Sequence, residues 1–383
     1  VKLVQHKIAH QRRLCQFFRF ARLFLFLDQP AQTAAPLMLP IKDTIIGLGL
    51  SGGVDSAFAG HLLTQAGYQV RAFTMLLSPN SSCERAAAVA AKLGIPHHIL
   101  DLQEQFEASV ISDFVRRYAE GYTPSPCVYC NREFKFGLML EAVLDCGCTH
   151  LATGHYARVH REQNGLARLL RGLDPDKEQS YFLAQLSQNQ LQKAVFPLGE
   201  HHKNQVVKLA QSLGLRKEGQ PESQDLCFLQ EADYAAMIAK RRPELDKEGW
   251  IIDLAGNKLG RHQGAFRYTR GQRKGLGLGG GPWFVLKTNM QENLVIVGKQ
   301  ENLMQKKLWL EKMNWLQHEE LDEVSCMAQI RYRMKAKKAV LQKLPEQQAE
   351  LKFDECVYAV TPGQLAVCYQ NEEVIASGWI MPQ

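Results

Sequence analysis

From residue 41 the apolar positions fall into two alternating kinds of run. Short apolar stretches at 44–50, 69–77, 96–100 and 149–153 have the length and continuity of strands buried on both faces. Between them, apolar residues recur at helical spacing over 56–66, 83–93, 103–120 and 132–146. Strand–helix alternation predicts a parallel sheet covered by helices on both sides, an α/β fold. A hairpin is predicted over 157–171 around Asn164-Gly165, and helices over 187–194 and 203–213. From about 305 the pattern changes to alternating runs at 308–315, 324–333, 338–343, 348–353, 365–369 and 373–380, which predict a small antiparallel barrel. The expected layout is an extension (1–40), an α/β domain (41–232), a small central domain (233–304) and a C-terminal barrel (305–383).

Charge changes this picture little. The net charge is +7, but residues 1–40 alone carry +5, so global charge says little about a polyanionic partner. That segment is Arg-rich and acid-poor, as an organellar presequence would be, yet contains no Ser; an upstream extension is the preferred reading. The expected location is therefore cytoplasmic, or organellar if residues 1–40 are a presequence. The apolar stretch near Phe17–Leu27 is broken by Arg19 and Arg22, so no membrane span or membrane partner is expected. Ten scattered cysteines lack the spacing of a secreted disulfide scaffold, which points to metal or sulfur chemistry in a reducing setting.

The chemistry starts where the first strand ends. Gly49 and Leu50 lead into Ser51-Gly52-Gly53-Val54-Asp55-Ser56, and a helix follows. Glycines let backbone N–H groups approach a phosphate, and a helix N-terminus favours its charge. Asp55 would repel a bare phosphate and is expected to hold magnesium beside one. No lysine follows the loop as in a Walker A motif. Met75, at the end of the second strand, either lines an adenine pocket or fills core. Pro124 and Pro126 are expected to keep the segment carrying Cys127 and Cys130 out of helix. Lys177 to Phe182 reads as an exposed polar loop, or as an RNA contact. Arg331, Tyr332, Arg333, Lys335, Lys337, Lys338 and Lys343 form a basic run, read either as a cationic strand edge for RNA or as edge charges that block aggregation.

The hexapeptide 51–56 resembles the PP-loop of ATP pyrophosphatases. It stands in order with Thr123-Pro124-x-Pro126, Cys130-Asn131, Ala152-Thr153-Gly154-His155-Tyr156, Gln179-Ser180-Tyr181-Phe182, Asp225-x-Cys227-Phe228, Gly271-Gln272-Arg273-Lys274-Gly275 and Thr361-Pro362-Gly363-Gln364. This series resembles the bacterial and organellar tRNA-specific 2-thiouridylases over about residues 43–380. The resemblance implies a PP-loop domain, a central domain and a barrel, and ATP-dependent replacement of the C2 oxygen of the wobble uridine in glutamate, glutamine and lysine tRNAs. It implies that Gly49 to Ser56, Met75 and Gly154 contact ATP, and that Ser125, Pro126 and Cys127 lie by the target base. It further implies that His155, Lys177, Glu178, Gln179, Arg331, Tyr332 and Gln364 touch tRNA. Cys227 would carry the transferred sulfur and Cys130 would release it by forming a disulfide with Cys227.

The chain departs from the family where Ser125-Pro126-Cys127 replaces Asn-Pro-Asp. Cys127, Cys130 and Cys227 could then hold a 4Fe–4S cluster with one open iron that binds hydrosulfide. Plain persulfide chemistry fed by a persulfide carrier, and a structural zinc, are the other readings of the trio. Leu76–Cys83 is shorter than in many relatives. Two rivals from other classes are an ammonia-dependent PP-loop synthetase and a tRNA-binding protein without catalysis.

Overall fold

Strand β1 (Ile45–Gly49) is an apolar run with Ile46 and Leu48 fully buried. A strand of that kind belongs inside a sheet covered on both faces. In the computed structural model it pairs in parallel with β2 (Gln69–Leu76) on one side and β4 (His150–Ala152) on the other. β3 (His97–Asp101) extends the sheet beyond β2, and the two-residue β7 (Ala194–Val195) extends it beyond β4. The order β3-β2-β1-β4-β7 reverses direction between β1 and β4. The crevice beyond the carboxyl ends of those two strands is where such sheets bind ligands.

The structure describes residues 39–78, 83–216, 226–229, 233–317 and 322–382, and those from Pro40 onward belong to one compact unit. The presequence question, residues 79–82 of the shortened segment after Met75, and Glu222 to Asp225 lie outside the described residues.

Helices α1 (Val54–Gln65), α2 (Glu84–Leu93), α3 (103–119) and α4 (126–145) flank the sheet. α3 and α4 each contain a π-helical stretch, Glu107–Ile111 and Cys130–Met139. α4 corrects an expectation. Its first turn is Pro126–Tyr129, so both cysteines of the proline loop are helical. Pro126 occupies the first helical position, where its missing N–H has no intrahelical partner to lose and its fixed φ suits the helix.

The central module consists of α8 (Tyr234–Arg241) and a four-stranded sheet, β10-β11-β8-β9, built from β8 (Gly249–Ile252), β9 (Lys258–His262), β10 (Phe284–Asn289) and β11 (Leu294–Gly298). α8 packs Ala235 and Ile238 against Phe114 of α3.

The last six strands are β12 (Met304–Trp315), β13 (Glu323–Gln329), β14 (Lys337–Leu344), β15 (Gln348–Tyr358), β16 (Leu365–Gln370) and β17 (Glu373–Ile380). Pairing of β12 with both β15 and β17 closes them into a barrel. Two expectations change here. β13 ends at Gln329, so Arg331 and Tyr332 lie in a turn. β14 pairs on both sides, so Lys337, Lys338 and Lys343 lie on an interior strand, and neither reading of them as a strand edge, for RNA or against aggregation, holds.

A further join was not visible in the pattern. The hairpin β5 (Ala157–Arg161) and β6 (Ala167–Arg171) extends the barrel sheet through Leu170 opposite Glu373. Next to it, α5 (Ser180–Leu183) is buried rather than an exposed loop, with Ser180 at 0% and Tyr181 at 1% exposure. The Tyr181 hydroxyl donates to the Leu365 carbonyl (2.8 Å), and Ser377 Oγ donates to the Ala184 carbonyl (2.8 Å). Polar side chains here are spent on carbonyls of the neighbouring element, which is how a polar sequence comes to be buried.

Candidate active site

After β1 the chain turns through Ser51 to Gly53 and enters α1. Ser56 organises the turn: its Oγ accepts from Ser51 N (3.2 Å), donates to the Gly53 carbonyl (3.1 Å) and meets Ser51 Oγ (3.1 Å). Gly52 has φ +75°, and a Cβ there would lie 2.8 Å from Ala86 N, so only glycine fits. No side chain caps α1, so its first-turn N–H groups are left for an anion at the switch point. β2 supports the turn from beneath, where Thr74 Oγ1 donates to the Leu50 carbonyl (2.6 Å). Met75 is partly buried and packs against the sheet core and the Phe106 cluster. The turn after β4 closes the other wall. A Cβ on Gly154 would lie 2.8 Å from both Asp55 C and Ser56 N, so the two turns touch backbone to backbone.

Asp55 has partners that sequence reasoning missed. The Lys203 ammonium donates to both carboxylate oxygens (2.8 and 2.7 Å), and the Tyr156 hydroxyl donates to Oδ1 (2.8 Å). Lys203 is the first residue of α7 (Lys203–Ser212). Its only sequence signal was a lysine at a helix start. A carboxylate offers magnesium oxygen ligands while free N–H groups receive the phosphate, so the residues fit a magnesium–nucleotide site.

The sulfur end begins one helix away. Cys127 is exposed in the first turn of α4, Cys130 is half-buried one turn on, and Cys227 is exposed on a short turn. Phe228 anchors that turn by packing edge-on against Phe114 and Phe106. The three thiols sense one another, and each senses Lys135. The π-helical stretch puts Lys135 five residues after Cys130, on the same face. Crowding by surrounding protein raises all three thiols, Cys130 to about 12, while Lys135 pulls each back down. Lys135 was another residue missed; only the five-residue offset in a wide helix identifies it.

His155 joins the two ends. It is buried, with Nδ1 2.7 Å from Thr153 Oγ1 and Nε2 3.4 Å from Lys135 Nζ. Burial first, and Lys135 second, push its pKa well below the usual value, so the ring is neutral.

The residues expected at tRNA are placed as follows. Glu178 is buried against Arg171 (3.1 Å), and Gln179 Oε1 accepts from Tyr156 N (3.0 Å). Lys177 is half-buried at the start of the same segment. Arg331 Nη2 donates to the Tyr358 carbonyl (3.4 Å), and Tyr332 packs on Phe182 with centroids 4.4 Å apart. Gln364 Nε2 donates to the Thr123 and Pro124 carbonyls (2.8 and 3.3 Å), so the barrel holds the loop before Cys127. Beside Ser125 and Pro126 a cleft is lined by Asp113, Arg117, Tyr129 and Trp379.

A lysine-free glycine turn at the switch point of a parallel sheet, with its acid in the first helical turn, defines a PP-loop nucleotide-binding α/β enzyme, here joined to two β modules. Family models agree with each part: a tRNA methyl transferase HUP domain matches residues 44–231, a tRNA methyl transferase PRC-barrel domain 236–299 and an aminomethyltransferase beta-barrel domain 305–380. The tRNA-specific 2-thiouridylase MnmA of Magnetococcus marinus is 41% identical over 352 residues, covering 88% of this chain and 98% of that protein. Those of Trichlorobacter lovleyi and Clostridioides difficile are 40% and 36% identical, covering 88% and 87% of this chain and 97% of each relative. The chain belongs to the tRNA-specific 2-thiouridylase family. Among the described residues, no helix is long and apolar enough to cross a membrane.

Proposed function

We propose that the protein uses ATP to exchange the C2 oxygen of the wobble uridine of glutamate, glutamine and lysine tRNAs for sulfur. One observation carries this reading: a line of contacts runs from the phosphate turn to Lys135, the cation whose charge acts on the thiols. Gly154 abuts Asp55 and Ser56, His155 follows it, and Lys135 bridges from His155 to the field shared by Cys127, Cys130 and Cys227.

The steps follow from the groups present. The uracil C2 oxygen attacks the α-phosphorus, and pyrophosphate leaves into the Ser51–Ser56 turn, whose N–H groups face its charge. Magnesium, held by Asp55, would neutralise that charge further. The oxygen now departs as AMP when a persulfide on Cys227 attacks C2. Cys130 then attacks Cys227 Sγ, breaking the S–S bond to the outer sulfur. The outer sulfur stays on C2 as the thiocarbonyl, and Cys130–Cys227 remains as a disulfide, which an external dithiol must reduce. Lys135 favours each anionic sulfur along this route. Ser125, Pro126 and Cys127, on the loop that Gln364 fastens, would lie by the base.

The finer choice concerns a 4Fe–4S cluster on Cys127, Cys130 and Cys227. Among the described residues, no three His, Cys, Asp or Glu side chains form a group that could hold a metal ion, and no step is routed through a cluster. Iron and sulfide analysis after anaerobic purification decides this point, with iron-free, fully active protein the expected outcome.

The decisive assay combines the protein with ATP, magnesium, unmodified glutamate tRNA and a persulfide donor, followed by nucleoside mass spectrometry. One 2-thiouridine per AMP released is expected. AMP release that needs ammonia instead of tRNA would move the protein to the synthetase class. Binding of tRNA without any AMP release would leave only a binding protein.

A further inference from the structure

The phosphate turn has no lysine of its own, yet the fold brings one to it. Lys203 lies 148 residues after Asp55 and reaches both oxygens of its carboxylate. Its side chain is only 7% exposed. Its backbone N–H donates to Asp174 Oδ2 (2.8 Å), and Asp174 Oδ1 in turn accepts from Asp176 N (3.1 Å), so the start of α7 is pinned in place. The ammonium is thereby aimed at the first turn of α1, the same turn whose N–H groups await an anion.

A lysine–aspartate pair whose lysine is buried and whose aspartate is partly exposed is a weak source of stability, because desolvating the ammonium offsets much of the attraction. A second role is needed to account for its position. We infer that Lys203 is a phosphate ligand of this site, and that the Asp55–Lys203 pair is exchanged for two new pairs when magnesium pyrophosphate or its parent nucleotide binds. Asp55 passes from the ammonium to the metal, and Lys203 Nζ passes from the carboxylate to a phosphate oxygen. No proton is gained or lost, and neither charge is left uncompensated at the end. The four-carbon stem of lysine lets Nζ travel the short distance while α7 stays fixed. This rests on the proposed use of ATP.

Inorganic pyrophosphate is the probe, titrated calorimetrically into the full chain in magnesium buffer and again in EDTA. Lys203→Met is expected to bind about 10- to 100-fold more weakly in magnesium buffer, because a charge-assisted contact to the phosphate itself is gone. Asp55→Asn is expected to lose affinity only where magnesium is present. Lys208→Met, an exposed lysine on the same helix, controls for general charge and is expected to bind as the parent does. A folded Lys203→Met that binds pyrophosphate like the parent in magnesium buffer overturns the inference. Should Lys203→Met fail to fold, Asp55→Asn/Lys203→Met removes both charges together; in EDTA it must bind 10- to 100-fold more weakly than Asp55→Asn, and equal affinity overturns the inference. If the parent binds neither pyrophosphate nor ATP in either buffer, the proposed function falls and takes this inference with it.

Discussion

The phosphate turn and the thiol group are assembled in opposite ways. The turn is made by six consecutive residues, closed by hydrogen bonds between residues two to five apart. The thiols come from two separate segments, two of them on a helix and the third on a turn whose Leu226 and Phe228 pack against α3 and α8. A group that must hold a polyanion the same way in every cycle profits from local, short-range construction. Thiols that must pass a sulfur atom need to approach and separate, and carrying them on different segments permits that. The comparison teaches that binding is built from one continuous stretch and transfer from two distant ones.

The largest expected effect separates the two regions outright. Cys130→Ser or Cys227→Ser should lower 2-thiouridine formation by roughly 10⁴-fold, while both variants still bind pyrophosphate with the parent's affinity. A matching loss of pyrophosphate affinity would show that the regions are not independent. Next is the wall between them. Gly154→Ala forces a methyl against the Asp55 and Ser56 backbone, which should cost about 1–3 kcal/mol of stability. By misplacing the turn it should also raise the KM for ATP by about 100-fold. An unchanged KM would mean that the turn tolerates displacement.

A smaller effect belongs to the loop of Thr123 to Cys127. Gln364→Ala removes two donated hydrogen bonds and should destabilise by about 1–2 kcal/mol. It should slow sulfur transfer by about tenfold, roughly the rate equivalent of that loss, with the KM for ATP unchanged. A rise in that KM instead would show that the barrel braces the phosphate turn as well.

The smallest effect concerns pH. Crowding holds the Cys130 thiol up to about 12. The folded protein therefore disfavours its thiolate, and alkylation of Cys130 by iodoacetamide should keep rising through pH 10 instead of levelling near the ordinary thiol value of about 8.5. The same shift makes folding stability fall as pH climbs from about 8.5 toward 12. Lys135→Met removes the opposing cation and should slow Cys130 alkylation at pH 9 by about threefold, a loss of roughly half a pKa unit's worth of thiolate. A plateau near 8.5 in the parent would contradict the crowded thiol.

Much of the fold was legible because its signals are local. The apolar run ending in Ser51–Ser56 named both a buried strand and an anion turn, and the alternating runs after 304 located the barrel strands to within a few residues, apart from longer overruns at the ends of β12, β13 and β15. Pro126 misled because the same ring that breaks a helix interior is welcome at a helix start, and only the direction of the following chain distinguishes the cases. The polar segment Lys177 to Phe182 misled because its burial depends on partners in β16 that lie far away in sequence, the Leu365 carbonyl for Tyr181 and the Tyr369 hydroxyl for Ser180.

By itself the sequence determined the strand–turn–helix that faces phosphate, the three cysteines available for sulfur, and the order of the modules. Only the tertiary structure decided that β14 lacks an edge, that the β5–β6 hairpin belongs to the barrel sheet, and that Lys203 and Tyr156 meet Asp55. The physical reason is range. Hydrogen bonds within a turn and apolar periodicity act between neighbours along the chain, whereas the partner of a buried charge is chosen by packing between segments more than a hundred residues apart.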